Sequence, residues 1–186
     1  MQAATVPPDD DARVQSLRRL LVLDTPPQER FDSLTAYAAS VFQVPIALVS
    51  LVDRDRQWFK SRCGLGVTQT PRDLSFCGHA ILRDEVMVVR DAWADERFRD
   101  NPLVTGDPFI RFYAGAPLVL EDGHKVGTFC LIDRRPRTLD AWEQAHLRDL
   151  ARVAALELQG VFAALAFLRE HADQGGNRPA PGASAG

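Results

Sequence analysis

Residues 45–62 read PIALVSLVDRDRQWFKSR, and the first half of that stretch decides the fold. Ile46, Ala47, Leu48, Val49, Leu51 and Val52 are apolar on both alternating faces, which is the pattern of a central strand covered on both sides. A short Asp/Arg turn follows. The next run, 56–62, sets Trp58, Lys60 and Arg62 against Gln57, Phe59 and Ser61. After so tight a turn, that run is an antiparallel hairpin partner with one wetter face. A buried strand and its hairpin neighbour thus begin a sheet.

Working outward, VMVVRD (86–91) is a third strand. RFYAGAPLVL (111–120) and KVGTFCLID (125–133) form a second hairpin, with Asp122-Gly123 suited to its tight turn. Between Asp91 and Ile110 lies a long connection rich in Asp, Pro and Asn, of a length that is uncommon inside a compact domain and usually functional. Two helices precede the sheet. Val14, Leu17, Leu20 and Leu21 recur at helical spacing within 14–23. In LDTPPQERFDSLTAYAASVF, Thr25 is placed to cap a second helix, Pro26 suits its first turn and Gln28 completes a T-x-x-Q capping box. Phe31, Leu34, Ala38 and Val41 would be its buried stripe. Beyond Pro136 a long helix begins near Leu139, with Leu147, Leu150, Ala154, Leu158, Val161, Leu165 and Leu168 stepping by three or four.

Residues 1–12 read as a flexible arm, 13–170 as one domain and 171–186 as a disordered tail. Antiparallel hairpins with helices segregated to the sides make an α+β fold around a single sheet.

With 186 residues, 46% apolar and 25% charged, the composition is that of an ordinary globular domain. A net charge of −3 gives no electrostatic reason to bind nucleic acid or an anionic membrane. The start, MQAATVPPDDDAR, has neither the basic nor the apolar part of a secretory signal, and no apolar run approaches a membrane span. A cytoplasmic protein is expected. Its cysteines, Cys63, Cys77 and Cys130, are odd in number and widely spaced, which favours reduced thiols. The histidines His79, His124, His146 and His171 show no metal-ligand spacing, so no metal site is expected.

IALVSLVDRDRQWFKS, TPRDLSFCGHAI, VVRDAWADERFRDNPLVTGDPFIRFYAGAPL and VGTFCLIDRRPRTL stand in the order and spacing of a GAF domain. The chain resembles most the subgroup found ahead of sensor histidine kinases and diguanylate cyclases, over roughly residues 15 to 165. The resemblance implies an antiparallel sheet in the order 2-1-5-4-3, a small-molecule pocket under loops on one face, and helices on the other face that often dimerise. Fold alone does not fix function, because this fold hosts ligand sensors, photoreceptors and a few enzymes.

SFCGHA (75–80) is the first candidate site. Ser75 starts the short helix between the second and third strands and suits a cap. Over 75–82, Cys77 and His79 are about 200° apart around the helix axis, which denies them the contact a nucleophile–base pair needs. Phe76 and Cys77 pack inward or line a pocket, and His79 either satisfies a neighbouring carbonyl or carboxylate or joins that pocket. Bilin-binding members carry Cys followed directly by His; here Gly78 intervenes. The Asn-Lys-Phe-Asp signature of cyclic-nucleotide members is absent, and the cysteines do not resemble the cluster of free methionine-R-sulfoxide reductase.

IRFYAGAPL (110–118) is the second. Alternation puts Phe112, Ala114, Ala116 and Leu118 on one face and Tyr113, Gly115 and Pro117 on the other. Gly115 in mid-strand weakens a sheet unless something must approach the backbone closely. Arg111 and Tyr113 offer a cation and a phenol to a ligand, or else Arg111 pairs with Asp91 or Asp95 and Tyr113 packs under the long loop. Trp58 and Trp93 each could cover a pocket.

The sequence therefore points to a small-molecule-binding sensory or regulatory module that is not an enzyme. Ligand contacts are expected from Trp58, Ser75, Phe76, Cys77, His79, Arg111, Tyr113 and Gly115, with no catalytic residue. No cofactor can be named. Nothing resembling a kinase or cyclase follows the last helix, so output would pass to a separate protein or across a homodimer built on the terminal helices, as the apolar residues Val153, Leu156, Phe162 and Phe167 beside the main stripe suggest. Two alternatives stand: a thiol-dependent reductase of free methionine-R-sulfoxide, and a structural dimerisation module with no ligand.

Overall fold

The computed structural model describes the backbone of residues 1–175 and the side chains of residues 1–160. Helices α1 (Asp10–Arg19) and α2 (Glu29–Val41) lead into strands β1 (Ile46–Val52), β2 (Arg56–Cys63) and β3 (Gln69–Pro71). A 3-10 turn (Arg72–Leu74), α3 (Phe76–Ala80), β4 (Met87–Val89) and α4 (Pro102–Thr105) follow, then β5 (Phe112–Val119), β6 (Lys125–Asp133) and α5 (Ala141–Gly175). The strands form one antiparallel sheet in the order β3-β2-β1-β6-β5-β4. The five expected strands keep their implied order, and the short β3 is added at the edge beside β2. No helix among the described residues is long and apolar enough to cross a membrane.

Every residue of β1 is buried, as its two apolar faces demand. The wetter face expected of β2 is absent. Residues 57–61 are all buried, Lys60 at 3% exposure included. Two features explain this. Val49 pairs with Ser61 and Ser50 with Phe59, so Lys60 is the extra residue of a β-bulge, which breaks the simple alternation. Its ammonium then donates to Thr25 Oγ1 at 2.7 Å and to the Pro26 carbonyl at 3.0 Å, while Ser61 is held by Thr35 and Asp32 of α2.

That use of Thr25 also removes the expected capping box. Thr25 donates to the Val22 carbonyl, Gln28 is the N-cap residue, and α2 starts at Glu29. Its buried stripe is Phe31, Thr35 and Ala38, continued by Phe42; Leu34 is only partly buried and Val41 is exposed. The first helix lies earlier than the apolar spacing suggested. It begins at Asp10, inside the stretch expected as an arm, because Asp10 and Asp11 suit the first turn and Asp10 is tied into an ion cluster. It ends at Arg19, and Leu21 takes a positive φ.

The last helix is capped reciprocally. Asp140 Oδ1 accepts from the Glu143 N–H and Glu143 Oε2 from the Asp140 N–H, each at 2.8 Å. Leu147, Leu150, Ala154 and Leu158 are buried as expected, whereas Val161, Leu165 and Leu168 lie beyond the described side chains. The helix runs to Gly175, into the stretch expected as tail, and 176–186 lie outside the described residues.

The sheet separates two cores. On the helix side, Leu17 of α1, Phe31 of α2 and Leu147 and Leu158 of α5 meet Val49, Phe112 and Phe129. On the loop side, Ile46, Leu48, Phe59, Phe76, Phe98 and Tyr113 form a second cluster that closes under the long connection. That connection is anchored rather than loose: Ala92, Phe98, Val104 and Ile110 are buried in it.

Candidate ligand-binding site

Ser75 makes α3 possible. It is extended (φ −76°, ψ 124°) and its Oγ accepts the Gly78 N–H at 2.9 Å, satisfying a donor at the helix start. The same hydroxyl donates to Gln57 Oε1, and Gln57 Nε2 donates to Thr70 Oγ1 at 3.1 Å. One serine thus fixes both the helix and the amide facing it. Phe76 stacks on Phe98 of the long connection, with ring centroids 4.0 Å apart. Asn101 binds the connection to the same region, donating to the Leu74 carbonyl at 2.9 Å and accepting the Leu103 N–H.

Between these elements and the sheet lies a cavity of about 120 Å³. Leu48 of β1 and Cys130 and Ile132 of β6 form its floor. Gln57 and Phe59 come from β2, Phe76 and Cys77 from α3, and Tyr113 from β5. Leu65, Val67, Thr70, Leu103, Asp107, Pro108 and Ile110 close the rim. The lining is mostly apolar, with the Gln57 amide, the Thr70 hydroxyl, the Asp107 carboxyl and the Tyr113 phenol as its polar points.

A sulfur–hydroxyl cluster sits at the floor. Cys77 Sγ is 3.9 Å from Cys130 Sγ. The Tyr113 hydroxyl donates to Cys77 Sγ at 3.4 Å and lies 3.4 Å from Thr128 Oγ1. The Ser50 hydroxyl is buried with no hydrogen-bond partner among the described residues. Burial opposes ionisation of Cys77, but the Cys130 thiol and the hydroxyls of Thr128 and Tyr113 outweigh it and lower the thiol's pKa. Burial pushes Cys130 the other way, and the neighbouring Cys77 adds to that rise. Tyr113 is likewise raised by burial, so its phenol stays protonated.

Of the eight residues expected to touch a ligand, Phe76, Cys77 and Tyr113 line the cavity. Ser75 stands behind the wall and acts through Gln57. Trp58 is on the opposite face of β2, among the helix-side residues, because Gln57 and Phe59 take the loop side. His79 points away from Cys77, as the helix geometry requires. Its Nε2 is 3.0 Å from the Gln2 carbonyl, its ring meets Phe98 edge-on, and burial lowers its pKa. Arg111 is spent on Asp91, donating from Nε at 2.8 Å and Nη2 at 2.7 Å, and lies over Trp93, which is exposed. Gly115 is not open to a ligand. A Cβ there would lie 2.1 Å from the Tyr113 hydroxyl oxygen, so the close approach its sequence position demands is made by Tyr113 itself.

The sequence reading did not single out Gln57, Cys130, Leu48 or Ile132 as site residues. The signal available was parity: Leu48, Cys130 and Ile132 share the face opposite Val49 and Phe129, and the face of Tyr113 is the loop face.

The GAF domain profile matches residues 26–158. This chain belongs to the GAF family. Over 154 residues this GAF domain is 48% identical to a cyclic di-GMP phosphodiesterase of Pseudomonas aeruginosa, covering 82% of the chain and 26% of that enzyme. It therefore spans about a quarter of that relative's length. Among solved structures, the GAF domain of a phosphoenolpyruvate-protein phosphotransferase from Coxiella burnetii superposes with a TM-score of 0.63 at 16% identity, covering 83% of this chain and 96% of that one. Free methionine-R-sulfoxide reductase from Neisseria meningitidis, solved with its substrate, gives 0.58 at 21% identity over 88% of this chain and 97% of that one. These two likenesses concern the fold alone.

Proposed function

We propose that this GAF domain is a small-molecule-binding sensory module in signal transduction and not an enzyme. The observation that carries this reading is the loop-side cavity with its few converging polar groups. A dry, filled face would instead suit a purely structural dimerisation module. At about 120 Å³ the cavity is below the usual range for drug-sized ligands, so its ligand has few heavy atoms or enters as the rim residues move outward. Ligand binding shifts the already anchored 91–111 connection through Phe76 and Phe98 and changes the population of helix arrangements on the other face, which pass the signal to a dimer partner or a separate output protein. The identity shared with a phosphodiesterase supports an output in cyclic-dinucleotide turnover. Reduced cysteines suit a cytoplasmic setting.

Native mass spectrometry of the purified protein is the test. A co-purifying molecule that disappears from Ile110→Trp, which fills the cavity, is the expected result. A protein free of any adduct, and unmoved in thermal shift by a metabolite library, would overturn the reading. The paired thiols at the cavity floor favour a second reading, reduction of free methionine sulfoxide. Thiol-dependent turnover abolished by Cys77→Ser would establish it in place of the first.

A further inference from the structure

We propose that Cys77 and Cys130 form an oxidant-responsive dithiol, which closes into a disulfide across the cavity floor on meeting a hydroperoxide. The two residues are remote in sequence and come from unlike elements, α3 and β6, yet their sulfurs are 3.9 Å apart. A disulfide needs about 2.05 Å, so the sulfurs must close by about 2 Å. The closing falls to the side outside the sheet. Cys130 lies in β6, hydrogen-bonded to β1 on one side and β5 on the other, and is fixed by the sheet. Cys77 lies in a five-residue helix that follows the 3-10 turn through Ser75 and has no strand hydrogen bonds to hold it. Both thiols line the cavity, whose volume exceeds the ~30 Å³ share of a water molecule several-fold, so an oxidant of two oxygen atoms has room beside them.

The surroundings assign the order of events. Cys77 is the sulfur that receives the Tyr113 hydroxyl bond. Its depressed pKa agrees with that assignment, and the attacking species in such chemistry is the thiolate. The Cys77 thiolate attacks one peroxide oxygen and the O–O bond breaks. The departing hydroxide takes up the thiol's former proton and leaves as water, and Cys77 becomes a sulfenic acid. The Cys130 sulfur then attacks Cys77 Sγ. An S–S bond forms, the S–O bond breaks, and the hydroxyl departs with the Cys130 proton as a second water. Two thiols and one hydrogen peroxide become one disulfide and two waters, with two electrons passing from the sulfurs to the peroxide. The new bond draws α3 onto β6 and narrows the cavity, whether or not a metabolite is its usual occupant.

Hydrogen peroxide added to the folded, reduced protein tests this. The expected result is an intact mass lower by about 2 Da, reversed by dithiothreitol, and a peptide map joining Cys77 to Cys130. Of the three free thiols, one, Cys63, should still react with iodoacetamide after unfolding. Cys63→Ser should keep the mass loss. Cys130→Ser should abolish it and leave a dimedone adduct on Cys77. The proposal fails if the disulfide contains Cys63, if it joins two molecules, or if the folded wild-type protein shows no mass loss under excess peroxide.

Discussion

At Gly115 the space a side chain would occupy is already taken by the Tyr113 ring, with its hydroxyl oxygen at 2.1 Å and Cζ at 2.7 Å from the absent Cβ. Gly115→Ala should therefore displace a fully buried ring and cost roughly 1–3 kcal/mol. Urea unfolding should show it, and the cost should fall in a Tyr113→Leu background, where the clashing atoms are gone. Equal costs in both backgrounds would mean that the ring is not what the glycine accommodates. Residue-level chemistry was legible wherever one element dictated it. The cap at Ser75 and the separation of Cys77 from His79 follow from helix geometry alone. Gln57 as the partner of Ser75, and Cys130 as that of Cys77, were not legible, because each belongs to the site only once three strands and a helix are in register. Trp58 was misplaced for a related reason: its parity with Lys60 is plain, but nothing local tells which face of β2 meets the loops.

Elements are held to one another by buried charge. Asp10 of α1 accepts Arg13 Nε at 2.8 Å and binds Arg72 of the 3-10 turn twice, at 2.7 and 2.8 Å. Arg13 in turn donates to the Val52 carbonyl at 2.5 Å, so the first helix is locked to the β1–β2 corner and to the turn that leads into α3. Burial works against the Asp10 charge, but the bonds from Arg72 and Arg13 prevail and hold its pKa at about 2, below the ordinary 3.8 of an aspartate. A carboxyl depressed in the folded state stabilises it above the unfolded pKa, and that stabilisation, about 2 kcal/mol here, is lost as pH falls from about 4 through about 2. Asp10→Asn leaves two buried guanidinium groups without their anion and should cost roughly 3 kcal/mol near neutral pH. The gap between wild type and variant should narrow over that acid window in urea titrations; a gap constant from pH 7 to pH 2 would contradict the assignment. This cluster was invisible in sequence, where Asp10 reads as one more acid in a polar leader. The strands, by contrast, were legible because a run such as IALVSLV suits no other buried element of its length.

For the whole molecule, the question is what covers α5. Trp142, Val153 and Leu156 are 65%, 43% and 56% exposed and fall within about 60° of one another around the helix. Leu156 also lines a groove with Leu20 and Leu120, beside α1. Burying a large apolar side chain is worth roughly 1.5–3 kcal/mol, which favours a second copy of the chain on this face. Sedimentation equilibrium at micromolar concentration should give a dimer, and Leu156→Glu should weaken it by at least about tenfold. A wild-type monomer indifferent to that substitution would sink the dimer.

The sheet that parts the two cores also has an evolutionary meaning. Alternate residues of one strand belong to different neighbourhoods: Leu48 and Cys130 answer to the loops, Val49 and Phe129 to the helices. A lineage can thus reshape the loop-side cavity by altering every second position while leaving the helix-facing residues untouched. The strand period divides one short sequence into two heritable traits that selection can tune separately.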